Sequence, residues 1–443
     1  MTKFDVIVIG FGIGGKKLTA ALAKEGKKVA LIEKNELQYG GSCPNIACIP
    51  TKTLIEASKK GISFEDAFDY RSKVVDKLNT NSYEGFSSME GVSLFTAKAS
   101  FISNKEVRIT DEAGKTKDIS ADTIIINAGS EPKYPDIEGL EDTEEVYNSI
   151  SLHREKGNEA VEHLGIIGAG GAGLEFASMY ANFGSKVTVF NRDASILGNE
   201  EPEIAEAIIK DMEADGVEFI NNFDTKKVSN KAGKVLVSDG DSTFEVDTLL
   251  VATGRKAQTE GLGLENTDIE LEENGYIKVD KHAETTVDGI YAVGDITGGP
   301  LFTYISKDDG RVVWDALHQV EKPHTLEERD NLQYVYFLNP SFARIGLSEK
   351  EAKEKGFNVK TNVLETKTFP RANVEKQFRG KWKAVVDKDT DLILGVSLYS
   401  EIAEELINLV KLAMNHDVKA SELANMVFTH PVWSENFNSL FDF

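Results

Sequence analysis

Val6-Ile7-Val8-Ile9-Gly10-Phe11-Gly12-Ile13-Gly14-Gly15 is an apolar run that passes without a break into glycines spaced G-x-G-x-x-G. The run is short, β-branched and free of alternation, which predicts a strand buried on both faces, Phe4 to Ile9. The residues after the glycines, Lys16 to Lys24, suit a helix, and a second apolar strand, Lys28 to Ile32, ends in Glu33. Strand, glycine turn, helix, strand and terminal acid make a βαβ unit.

The pattern recurs. Leu164 to Ile167 leads into Gly168-Ala169-Gly170-Gly171-Ala172-Gly173, a helix running through Tyr180, and the strand Lys186 to Phe190. Each copy also has a later matching strand, Asp122 to Gly129 in the first and Asp247 to Gly254 in the second. A lone glycine motif is weak evidence, but two in the same strand-turn-helix context predict a duplicated dinucleotide-binding fold. A further strand, Gly289 to Val293, ends at Gly294 and Asp295. After the polar stretch Glu321 to Asn331, which reads as a linker, the pattern changes. Strands are predicted at Tyr334 to Phe337, Lys383 to Val386 and Ile393 to Leu398, with an amphipathic helix over Glu401 to Met414. This is a separate α+β domain.

Composition bounds the function. A chain of 443 residues needs several domains. Its 50 Lys+Arg against 73 Asp+Glu, a formal charge of −23, repel phosphate backbones and anionic lipid, so neither nucleic acid nor a membrane is expected as partner. No apolar run has the length of a membrane span, and the N-terminus has no signal-peptide core. With only 2 cysteines there is no disulfide framework, and the cytoplasm is the expected compartment.

Those two cysteines lie in Gly40-Gly41-Ser42-Cys43-Pro44-Asn45-Ile46-Ala47-Cys48-Ile49-Pro50-Thr51-Lys52. Along a straight helix their Cα atoms would be separated by a rise of about 7.5 Å, too far for a disulfide. Pairing therefore requires a distorted helix start, which Gly40, Gly41, Pro44 and Pro50 permit. A sulfur near a helix N-terminus, with Lys52 close by, gains thiolate character. Two inert buried cysteines are the bland alternative. A metal site would need further His or Cys ligands, none of which occurs elsewhere in residues 1–150, so no metal is expected. The redox pair is the favoured reading.

With these motifs the chain resembles the FAD-dependent pyridine nucleotide–disulfide oxidoreductases, among them glutathione reductase, dihydrolipoyl dehydrogenase and mercuric reductase. The resemblance spans nearly the whole chain and includes Thr429-His430-Pro431. It implies an α/β protein with two Rossmann-like dinucleotide-binding domains and a C-terminal α+β dimerisation domain. The expected boundaries are 1–148 for the first part of the FAD domain, 149–260 for NAD(P)H, 261–330 for the central part and 331–443 for dimerisation. FAD would be held by Gly10, Gly12, Gly15, Glu33, Gly41, Ser42, Lys52, Gly129 and Asp295. The coenzyme would be held by Gly168, Gly170, Gly173, Asn191, Arg192 and Gly254. Cys48 would lie against the flavin, Cys43 would meet substrate, and Lys52 and Glu175 would pair near the flavin ring. His430, oriented by Glu435, would act on Cys43 from the second subunit of a homodimer.

Phe302-Thr303-Tyr304-Ile305-Ser306-Lys307-Asp308-Asp309 and Phe428-Thr429-His430-Pro431 look most like a bacterial subgroup of reactive-chlorine-resistance and hypothiocyanous acid reductases. A small oxidant, hypothiocyanous acid, is thus the expected substrate. Reduction of Cu(II), Hg(II) or a low-molecular-weight or dihydrolipoyl-type disulfide is the enzymatic alternative, and a flavin redox sensor without turnover is the alternative of another class. Mercuric reductases carry a further C-terminal cysteine pair, and no cysteine follows Cys48 here. Two other departures are Ala47, where glycine is common, and Gly171, where an aromatic residue often covers the nicotinamide pocket. Glu33 lies 23 residues after Gly10, and the same spacing from Gly168 reaches Asn191, followed by Arg192. The absence of a carboxylate and the presence of a guanidinium favour NADPH over NADH, against the countervailing Asp193 and the glycine at 198.

Overall fold

A computed structural model describes residues 1–443. It divides into two compact units, one of Met1–Thr53, Phe68–Lys133 and Gly254–Arg329, the other of Leu54–Ala67, Tyr134–Thr253 and Asp330–Phe443.

The first unit is built on a five-stranded parallel sheet in the order Ile290–Ala292, Thr123–Ile126, Val6–Ile9, Val29–Glu33, Val92–Thr96. Side chains alternate along each strand, so Ile7, Ile9, Ile124 and Ile126 enter one apolar cluster while Val6, Val8, Leu31 and Ile125 enter the other. Two covered faces explain why the central strand, Val6–Ile9, is apolar throughout. The helix Ile13–Lys24 starts three residues before the sequence-based start at Lys16. Glycine's poor helix propensity hides that first turn, yet packing demands it: a Cβ at Gly14 would lie 2.5 Å from the carbonyl oxygen of Ser306. A four-stranded sheet from Thr2–Lys3, Thr116–Ser120, Glu106–Thr110 and Lys98–Ser103 completes the unit, with a short antiparallel pair, Ser130–Pro132 and Arg255–Ala257.

The second unit repeats the parallel design in the order Val146–Asn148, Thr248–Val251, His163–Ile167, Lys186–Phe190, Val217–Ile220. Its helix Gly171–Asn182 again begins inside the glycine turn. The C-terminal part is an antiparallel sheet ordered Gln333–Tyr336, Ser341–Gly346, Ile393–Ser400, Lys381–Asp387, Val359–Glu365, with the helix Ala403–Asn415 joined to its apolar core. The α/β class, the two nucleotide-binding folds and the α+β end are all present. The polar stretch before residue 331 is tied down, because Arg329 donates to Asp308 at 2.9 Å and also bonds the buried Asp309. No helix is long and apolar enough to cross a membrane.

Candidate active site

The first glycine turn is a bare-backbone cradle. Gly10 has φ 98°, and a Cβ there would lie 2.3 Å from the carbonyl oxygen of Asn127. At Gly12 a Cβ would meet Asn127 Oδ1 at 2.5 Å, and at Gly15 it would meet Val8 at 2.7 Å. Gly41 closes on the same turn: a Cβ there would come within 2.8 Å of Gly12 Cα. Asn127, which sequence reasoning passed over, organises this cradle. Its Oδ1 accepts from the Gly15 amide at 3.0 Å and its Nδ2 donates to the Val293 carbonyl at 2.8 Å.

Glu33 ends its strand beside the cradle. Its carboxylate accepts from the amides of Phe11 and Asn35, each at 3.2 Å. Burial raises its pKa to about 7, against the weaker lowering effect of those amides. A buried carboxyl at this strand end is poised to take further hydroxyl donors.

The cysteine segment resolves the geometry that a straight helix forbids. One helical turn, Ser42–Asn45, carries Cys43. Ile46 then breaks the helix at φ −139°, and a second helix, Cys48–Lys59, opens on the other sulfur. Asn45 holds the break, donating to the carbonyls of Tyr39 and Gly41 at 2.9 and 2.8 Å. Both cysteines are half-buried thiols, with no disulfide between them. The Cys43 thiol is pushed up by its hydrogen bond to Cys48, by burial and by repulsion from charge on Cys48, so the pair carries one negative charge far more readily than two. Two groups oppose that rise: the hydroxyl of Thr303, which lies 3.2 Å from Cys48 Sγ, and the ammonium of Lys16. Lys16 was missed because nothing in the spacing of a glycine-motif helix links it to a loop near residue 43. Lys52 is half-buried on the second helix.

Asp295 stands on a helical turn, Gly294–Thr297. Its carboxylate accepts from Ser130 Oγ at 2.6 Å, and Arg255 bonds the same serine at Oγ and at its carbonyl, both 2.7 Å. Ser130 and Arg255, neither singled out from sequence, directly follow Gly129 and Gly254, both of which have positive φ. Those glycines therefore deliver the two strands that orient Asp295.

In the second unit, Gly168 repeats the role of Gly10: φ is 107°, and a Cβ would lie 2.6 Å from the carbonyl oxygen of Ala252. Gly170 caps the helix and Gly173 lies buried in its first turn. Glu175, one turn on, is buried and accepts from the Phe337 amide at 3.1 Å. Asn191 is also buried, its Nδ2 donating to the Asp193 carbonyl at 2.9 Å and to Asn221 Oδ1 at 2.9 Å, so its side chain fixes the turn at the strand end. Arg192 is free to reach outward, 77% exposed and 3.9 Å from Asp193. His430 Nδ1 lies 2.7 Å from Glu435 Oε2, and the other oxygen of Glu435 accepts from the Val432 amide at 3.2 Å. The imidazole is exposed. Lys52 belongs to the first unit and Glu175 to the second.

Comparison with known proteins matches this geometry. Pyridine nucleotide-disulphide oxidoreductases match residues 4–310, and the dimerisation domain of the same family matches residues 332–441. A probable pyridine nucleotide-disulfide oxidoreductase, RclA, of Escherichia coli (strain K12) is 40% identical over 441 residues, covering 100% of this chain and 99% of the relative. A mercuric reductase of Staphylococcus aureus is 29% identical over 448 residues, covering 95% of this chain and 79% of the relative. The solved Cu(II) complex of the HOCl-induced flavoprotein disulfide reductase RclA from Escherichia coli superposes with a TM-score of 0.97 at 39% identity, covering 100% of this chain and 99% of that one. The chain therefore belongs to the pyridine nucleotide-disulphide oxidoreductases, a membership that implies FAD, NAD(P)H and the pairing of two copies through residues 332–441.

Proposed function

We propose that this protein is an NADPH-driven reductase of a small oxidant, hypothiocyanous acid, working in the cytoplasm through a Cys43–Cys48 redox disulfide. The observation that carries the reading is the pair of hydrogen-bonded thiols on either side of the helix break, with Thr303 and Lys16 beside them. The cradle of Gly10, Gly12, Gly15 and Gly41, with Glu33 at its edge, fits the adenosine diphosphate end of FAD. Asp295, held by Ser130 and Arg255, fits a hydroxylated chain, and Ser42, Lys52 and Gly129 complete the set. The turn of Gly168, Gly170 and Gly173, with Asn191, Arg192 and Gly254, fits the coenzyme. FAD held there would supply electron pairs drawn from the coenzyme, which keep Cys43 and Cys48 in the dithiol state.

The remaining chemistry belongs to side chains. Cys43, as thiolate, attacks the electrophilic sulfur of hypothiocyanous acid. A sulfur–sulfur bond forms, the sulfur–oxygen bond breaks, and the oxygen leaves as water with a proton from His430 of the partner subunit. Cys48, deprotonated, then attacks the Cys43 sulfur and expels thiocyanate. Two thiols have become one disulfide, and the oxidant has taken two electrons. Glu435 orients His430, and Lys52 would supply a cation to the bound flavin. The RclA relative solved with Cu(II) favours a second reading, reduction of Cu(II) by the same dithiol. Steady-state NADPH oxidation with each oxidant separates the two. Cys43→Ala is expected to keep its flavin and lose oxidant-dependent turnover; undiminished consumption of hypothiocyanous acid by that variant would overturn the proposal.

A further inference from the structure

Gly171 opens the helix of the second glycine turn, and the space above it is already filled. A Cβ built on Gly171 would lie 2.7 Å from Cε1 and 2.9 Å from Cδ1 of Tyr336, so no side chain fits at 171 while that ring is in place. Tyr336 ends the strand Gln333–Tyr336, its ring against those of Tyr334 and Phe342 at centroid distances of 5.5 and 5.7 Å. The adjacent Phe337 amide donates to Glu175, one turn along the helix that Gly171 begins. The backbone is thus pinned to that helix on one side, and the tyrosine ring is laid across its first turn on the other. The atoms nearest Gly171 belong to the far part of a side chain that can rotate at χ1, whereas the glycine backbone beneath cannot give way.

We infer that Tyr336 is a positioning residue for the coenzyme: its ring covers the first turn of the helix at Gly171 and swings aside when the nicotinamide end of the coenzyme enters. The inference rests on the reading that the second glycine turn binds NAD(P)H. A ring that occupies the site in the free protein lowers apparent affinity by the fraction of molecules left open, without altering the hydride step. Position 171 has no side chain for this task, and the cover comes from a strand more than a hundred residues away in the chain.

The test is calorimetric binding of NADP+ to the flavin-loaded protein, read alongside stopped-flow flavin reduction over a range of NADPH concentrations, and both give the same direction of change in Kd. Tyr336→Ala is expected to lower the apparent Kd for NADPH at least threefold, with the limiting rate of flavin reduction within twofold of the original. Tyr336→Phe keeps the ring and the original Kd. Gly171→Ala forces the ring away and shifts Kd in the same direction, and the double variant shows no further drop, since both changes remove one obstruction. An unchanged or weakened affinity in Tyr336→Ala overturns the inference while leaving the coenzyme reading intact. If neither NADPH nor NADH reduces the flavin of the unaltered protein, the coenzyme reading itself fails and the cover fails with it.

Discussion

The Gly15 amide donates to Asn127 Oδ1 at 3.0 Å across 112 residues of chain. The other end of the same carboxamide bonds the carbonyl of Val293, so one buried side chain joins a helix start to the chain beyond a third strand. Asn127→Ala leaves a donor and an acceptor without this partner. We expect a loss of about 1–3 kcal/mol in stability, measured by denaturant unfolding of flavin-free protein, together with weaker FAD retention.

Glu33 gives a pH signature. Its folded pKa of about 7 lies above the ordinary 4.5, because burial disfavours the charge. The folded state therefore holds the proton more tightly than the unfolded one. The associated stability is fully present below 4.5 and is lost as pH rises through 7, a change of about 3 kcal/mol. Unfolding free energies of flavin-free protein and of Glu33→Gln, compared from pH 4.5 to 8, should diverge in that window. Parallel curves would refute the assignment.

His430 and Glu435 should act in only half of the catalytic cycle. Loss of the imidazole in His430→Ala is expected to slow reoxidation by the oxidant about 10²–10⁴-fold. Glu435→Ala, which frees the ring to turn, should slow it less. Rapid-mixing measurements of the reductive half-reaction should show both variants near the original rate, and an equal slowing there would contradict the proposed role.

Arg192 should set the phosphate preference. Its guanidinium is exposed, while Asn191 beside it is occupied by the turn. Arg192→Ala is expected to lower the ratio of kcat/KM for NADPH to that for NADH by roughly tenfold, in keeping with the loss of one charge-assisted hydrogen bond. An unaltered ratio would move the specificity elsewhere.

The nucleotide-binding folds were legible because strands covered on both faces must be apolar from end to end, as Val6–Ile9 and Leu164 to Ile167 are. The 24-residue helix Phe64–Ser87 left no comparable mark: of its residues only Ala67, Phe68 and Arg71 are buried, so its apolar stripe is too thin to read. The cysteine spacing foretold a distorted helix, but not that Ile46 would be the point of fracture. Asn127, Ser130 and Arg255 carry no motif. They matter through what the sheet brings beside them, and residue order hides that.

Gly10 and Gly168 stand in the same relation to their neighbours: each leaves no room for a methyl group against a carbonyl just past the adjacent parallel strand, from Asn127 in one copy and Ala252 in the other. The two copies have nevertheless parted at the next strand's end, where one has Glu33 and the other Asn191. On the proposed reading, a duplicated frame keeps its grip on a shared diphosphate core while each half drifts freely toward a different tail. Redesigning the tail at residues 191 to 193 is accordingly a separable task, since the steric veto that preserves the frame is exercised elsewhere.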